Sequence, residues 1–199
     1  MDILLDKISE VKRSETAKTI SSRMQEFAAK GRESDESLFK ELCFCLMTAN
    51  FNAERSIRIQ SEIRDGFLSL PKAKLAKKLA ELGHRFPNKR AEFIVEARKH
   101  KDFLRSADRD WLADNIKGLG YKEASHFLRN TGKQDFSIVD FHIIDLLVDH
   151  KLIKRPKTLN RPKYLAVEKV LKQIADKSKL NLAELDLYLW YLETGKVLK

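Results

Sequence analysis

The sequence predicts an all-α protein, on three observations. Apolar residues recur at helical spacing through nearly the whole chain. Only seven Gly and four Pro occur in 199 residues, too few for the tight turns of an all-β protein. Strand-like alternation is absent, the short FSIVD at 136–140 being the one segment that could compete.

The elements follow in order. Residues 2–13 place Ile3, Leu4, Ile8 and Val11 on one stripe, and 16–30 repeat the pattern with Ile20, Met24 and Phe27. Ser34 or Asp35 can cap a helix over about 36–48, with acids in its first turn. That helix is apolar nearly all round at Leu42, Cys43, Phe44, Cys45, Leu46 and Met47, which predicts a central buried element. Further helices are expected over 53–68, 71–82 and 88–100, with shorter ones over 109–115 and 122–130. The last three are 141–150, 162–178 and 181–193. Pro71 and Pro162 sit where a first helical turn needs no N–H, and Gly83, Gly118, Gly120 and Gly132 fall at breaks.

Composition bounds the function. With 39 Lys+Arg against 29 Asp+Glu the formal net charge is +10, which favours a polyanionic partner, although much of the charge lines wet helical faces as in KAKLAKKLAELG. No apolar run is long enough to span a membrane, and the charged start MDILLDKISE offers no secretory h-region, so a cytoplasmic protein is expected. Cys43 and Cys45 are too few for a disulfide framework or a tetrahedral metal site and read as buried free thiols.

The chemistry-bearing stretch is NIKGLGYKEASHFLRNTGKQDFSIVDFHIIDLL, residues 115–147. Its first half reads helix, Gly-x-Gly turn, helix, with Ile116 and Leu119 tucked inside. Gly118 and Gly120 allow a tight backbone, and the N–H groups opening the second helix are natural ligands for a phosphate. An ordinary helix corner would use the same glycines. Lys122 follows two residues after Gly120, and Asp140 lies 18 residues beyond Lys122, where a simple helix N-cap also accounts for it.

The pattern G-x-G-x-K followed by V-D-x-H, carried by Gly118, Gly120, Lys122, Val139, Asp140 and His142, resembles the helix-hairpin-helix superfamily of DNA glycosylases. ELCFCLMTAN, GHRFPNKRAEFIVEAR and ELDLYLWYLETGKVLK extend the likeness to the compact, archaeal-type 8-oxoguanine DNA glycosylase/AP lyases, over nearly the whole chain. A four-cysteine iron–sulfur loop and an N-terminal β domain, which mark other branches, are not seen in this sequence.

The resemblance implies that Lys122 is the nucleophile of a bifunctional enzyme, forming a Schiff base and then eliminating the 3′ phosphate. Asp140 suits stabilisation of the positive charge that builds on the sugar as the base departs. A lysine amine must be neutral to attack, and burial at a helix N-terminus would push it that way. Phe86 and Trp190 would stack on the two faces of the extruded purine, though Trp190 within LDLYLWYLE fits a core position equally well. Lys199, through its carboxylate, would read the extra hydrogen on N7 of the oxidised base, and Asn50 would fill the gap left in the duplex.

The expected architecture is two helical subdomains with the active site in the cleft between them: 30–132, carrying a helical barrel and the hairpin, and 1–29 with 133–199. The expected partner is double-stranded DNA containing an oxidised guanine, engaged by a monomer, with no metal or other cofactor. Two alternatives stand beside this: a glycosylase of the same superfamily for another damaged base, and a non-catalytic hairpin module that only holds DNA.

Overall fold

The computed structural model describes residues 1–199 and contains twelve α-helices and one 3₁₀ helix, without a strand. In chain order the α-helices are α1 (Asp2–Lys12), α2 (Thr16–Lys30), α3 (Asp35–Thr48), α4 (Ala53–Ile63), α5 (Gly66–Ser69) and α6 (Lys72–Glu81). They continue with α7 (Pro87–Ala97), α8 (Arg109–Asn115), α9 (Tyr121–Asn130), α10 (Phe141–Asp149), α11 (Arg161–Ser178) and α12 (Leu182–Thr194). The 3₁₀ helix, Arg98–Phe103, continues directly from α7. No helix is long and apolar enough to cross a membrane. The chain divides into two units, one of residues 29–131 and one of residues 1–28 with 132–199.

In the unit of residues 29–131, α3 is the central element. Ser34 caps it by accepting a hydrogen bond from the Ser37 N–H at 3.3 Å, and its side chains are buried from Leu38 to Thr48 except for Lys40. Helices α4, α5, α7 and α9 pack around it. Its buried carboxylate, Glu41, accepts from Asn130 Nδ2 at 2.6 Å, while Arg129 grips Asn130 Oδ1 through Nε and Nη2 at 3.1 and 2.9 Å. A buried carboxylate is tolerable only with such partners, and this one fixes the C-terminal end of α9 against α3.

The helix expected over 53–68 is broken. Arg64 takes a φ of +49°, ending α4, and the short α5 presents its carbonyls to Arg98. The guanidinium bonds Phe67 O through Nε and Leu70 O through Nη2, both at 2.8 Å, satisfying groups that a continuous helix would have used itself. Cys43 and Cys45 are buried free thiols, and burial pushes the Cys43 thiol well above the ordinary range.

In the other unit, α1 buries Leu4, Ile8 and Val11 against α11 and α12, and α10 also packs on α12. Ile3 does not share the stripe expected for it: it is 67% exposed, because the residue before Leu4 is rotated about 100° from the buried i, i+4, i+7 row. FSIVD forms no strand. It is a buried extended segment held by side chains from two helices, and it leads straight into Asp140.

Candidate active site

Helices α8 and α9 and the residues between them form a hairpin. Ile116 and Leu119 are buried, and the Leu119 N–H bonds Ile116 O at 3.0 Å to close the turn. Gly118 is required twice over: its φ is +87°, and a Cβ there would stand 2.1 Å from Cδ2 of Phe93. Gly120 precedes α9 in an extended conformation, and its N–H donates to Glu123 Oε2 at 3.2 Å. Tyr121, Lys122 and Glu123 are the first three helical residues, at the end of the helix toward which the N–H groups point. Lys122 therefore stands at the positive end of the α9 dipole. Its side chain is 31% exposed, less buried than the sequence reading called for, and its Nζ lies 3.7 Å from Glu123 Oε1.

The end of α3 is held by two residues that the sequence reading did not single out, His84 and Arg90. Asn50 is exposed with a φ of +57°, a left-handed turn that asparagine tolerates better than most residues. Just before it, Arg90 Nη2 donates to Ala49 O at 2.5 Å. His84 Nε2 donates to Met47 O at 3.1 Å, while Nδ1 of the same ring accepts the Phe86 N–H at 3.0 Å. That bonding defines the neutral Nε2–H tautomer. Burial pushes the imidazole pKa down, opposed by the bond to Met47 and reinforced by the Arg90 charge. The Phe51 ring packs on His84 with centroids 4.3 Å apart. The Phe86 ring is 37% exposed, with the Arg85 and Arg90 guanidiniums 4.9 and 5.8 Å from its centroid. Asn50 and Phe86 thus sit on segments joined through one histidine ring. His84 and Arg90 both lie in the GHRFPNKR stretch, two residues before and four after Phe86.

In the other unit, Asp140 is the N-cap of α10, its Oδ1 accepting the Ile143 N–H at 3.0 Å. The segment that delivers it is pinned at each residue. Ile138 N–H donates to Asp186 Oδ1 at 3.0 Å, Val139 N–H to Tyr164 Oη at 3.0 Å, and Tyr164 Oη in turn donates to Ser137 O at 2.6 Å. Asp140 thereby holds a cap bond while its backbone is fixed from α11 and α12. The His142 ring meets Trp190 edge-on at 5.0 Å, and Phe141 beside it is 67% exposed. Trp190 is half-buried, its Nε1 shielded from solvent and without a hydrogen-bond partner. Lys199 is half-buried. A flat aromatic with one unmet donor fits a stacking surface as well as it fits a core.

A hairpin with a lysine at the head of its second helix, an N-capping aspartate 18 residues later and a half-exposed phenylalanine whose backbone is tied to a buried histidine are the features of a helix-hairpin-helix DNA glycosylase. Residues 20–180 match the sequence model of the 8-oxoguanine DNA glycosylase family. The 8-oxoguanine DNA glycosylase/AP lyase of Korarchaeum cryptofilum is 52% identical over 209 residues, covering 100% of this chain and 99% of that protein. That of Methanocaldococcus jannaschii is 53% identical, covering 99% of this chain and 100% of that protein. The crystal structure of the M. jannaschii enzyme with a 15mer DNA containing 8-oxoguanine superposes with a TM-score of 0.96 at 53% identity, covering 99% of this chain and 100% of the other. The enzyme of Thermotoga maritima superposes at 0.95 with 45% identity, covering 100% of this chain and 99% of the other. The chain belongs to the 8-oxoguanine DNA glycosylase family.

Proposed function

We propose that this protein excises 8-oxoguanine from duplex DNA and then nicks the abasic strand by β-elimination, acting as a cytoplasmic monomer. The observation that carries the reading is Lys122 in the first turn of α9, two residues after an exposed Gly-x-Gly turn that leads into a helix N-terminus. Holding DNA through its backbone needs no lysine amine at that position. An enzyme that attacks a deoxyribose does.

The base is extruded at a cost of a few kcal/mol, offset by stacking on Phe86 and Trp190 and by Asn50 entering the duplex. Lys199 takes part in distinguishing the oxidised base from guanine. Gly118 and Gly120 let the hairpin approach a phosphate of the same strand. Asp140 stabilises the cationic character of the sugar as the C1′–N bond lengthens. The Lys122 nitrogen bonds to C1′, the sugar opens to a Schiff base, and loss of the C2′ proton expels the 3′ phosphate.

Borohydride trapping on a duplex carrying 8-oxoguanine tests this directly. The wild-type protein forms a covalent adduct, and Lys122→Gln abolishes both adduct and excision. A Lys122→Gln protein that still gave the adduct would move the nucleophile elsewhere. A panel of oxidised pyrimidines in the same assay sets the substrate, since excision of those in preference to 8-oxoguanine would favour a different branch of the superfamily.

A further inference from the structure

Lys122 and Glu123 are adjacent in the first turn of α9, and adjacent helical residues do not ordinarily face each other. They meet here because Glu123 curls back over the helix start. Its Oε2 accepts the Gly120 N–H at 3.2 Å, which leaves Oε1 directed at Lys122 Nζ, 3.7 Å away. The Glu123 side chain is only 13% exposed, so this carboxylate is held in place rather than waving in solvent.

The charges around the pair have other engagements. From α7, Arg90 is held on Ala49 O and feels the Glu123 charge, which partly counters the downward push of burial on its guanidinium. From α8, Arg109 lies over the Tyr121 ring at 4.6 Å and Asp110 bonds the Tyr121 hydroxyl. From α3, Glu41 is at the far end of α9 with Asn130. Glu123 is the carboxylate set against the reacting nitrogen.

We propose that Glu123 is the proton acceptor that converts Lys122 from ammonium to amine. This rests on Lys122 being the nucleophile. When DNA covers the site, the ion pair loses its hydration, and proton transfer within it removes both charges at once. The Nζ–H bond breaks, an O–H bond forms on Oε1, and the freed lone pair on Nζ bonds to C1′ while the electron pair of the C1′–N bond leaves with the base. Transfer needs the pair to close from 3.7 Å to the hydrogen-bond distance of about 2.9 Å, a change within the reach of one lysine rotamer. Because Oε2 stays on Gly120, the acceptor moves with the turn that meets the phosphate.

The test is single-turnover excision of 8-oxoguanine between about pH 6 and pH 10, with borohydride trapping, for the wild type, Glu123→Gln and Lys122→Gln. The glutamine keeps an oxygen for the Gly120 N–H and removes only the base. Glu123→Gln is expected to slow excision by about tenfold or more at pH 7, with the gap closing to about threefold at the alkaline end as hydroxide deprotonates the ammonium instead. Melting curves of the variant should overlay those of the wild type. A loss constant across pH would mean that Glu123 only caps the helix, and an unchanged or faster reaction at low pH would mean that it merely holds the ammonium; either overturns the proposal. Lys122→Gln separates the two levels. If it still traps, the nucleophile is wrong; if it is dead while Glu123→Gln keeps the wild-type pH profile, the acceptor alone is wrong.

Discussion

The Phe86 N–H donates to His84 Nδ1 at 3.0 Å, and the same ring donates through Nε2 to Met47 O at 3.1 Å. One neutral imidazole therefore couples the aromatic proposed to grip the base to the end of α3, whose last residue, Thr48, stands two residues before Asn50. The bond to Met47 O needs a proton on Nε2 and the bond from Phe86 needs Nδ1 without one, so the two together require the neutral Nε2–H ring.

Stability should depend on pH through this ring. Burial lowers the folded-state pKa of His84 below its ordinary value of 6.5, so in that window the unfolded chain binds the extra proton. The stabilisation is fully present above pH 6.5 and is lost as the pH falls toward the folded-state value. The melting temperature should drop on acidification below pH 6.5, and His84→Gln should flatten that dependence. A variant with the same acid slope as the wild type would assign the proton uptake to another group.

Tyr164→Phe should cost about 1–3 kcal/mol in equilibrium denaturation, because the buried Val139 N–H then has no acceptor and Ser137 O loses a donor. The same change loosens the segment that delivers Asp140. Excision should slow while DNA affinity holds, since no phosphate contact is proposed there. Asp186→Asn, which keeps an oxygen for the Ile138 N–H, should be milder in both measurements.

Gly118→Ala should destabilise the hairpin strongly. The left-handed backbone costs an L-residue about 1 kcal/mol, and the added methyl meets the Phe93 ring at 2.1 Å. The partner variant Phe93→Ala should relieve the steric part and leave the backbone part. Thermal melts of the two single variants and the double variant should thus show a non-additive recovery, together with weakened DNA binding wherever Gly118 is replaced.

Much of this was legible locally. Leu42 to Met47 announce a buried helix because no face of the run is polar, and Gly118 and Gly120 announce a tight turn between two helices because the geometry depends on spacing along a few residues. Asp140 as an N-cap was readable for the same reason. Long-range partners were not: His84 meets Met47 across 37 residues, Arg90 meets Ala49 across 41, and Asp186 meets Ile138 across 48. A histidine between two helices and an arginine and an aspartate within helices look like surface residues until the fold supplies a bare carbonyl or N–H for each. The break at Arg64 had one local sign, the Asp65-Gly66 pair just beyond it, but the compensation that makes it stable comes from Arg98, 34 residues on.

Phe86→Ala separates binding of the base from integrity of the fold. The ring is 37% exposed and sits against guanidiniums rather than in an apolar core, so its removal should cost stability no more than about 1 kcal/mol. The backbone bond from Phe86 N–H to His84 survives the substitution. Base stacking on an aromatic contributes about 1–3 kcal/mol, so excision of 8-oxoguanine should fall by about one to two orders of magnitude in single turnover. Affinity for a duplex already containing an abasic-site analogue should change far less, because no base remains to be stacked. Equal losses on both substrates would place Phe86 in general DNA binding and remove it from the grip on the base.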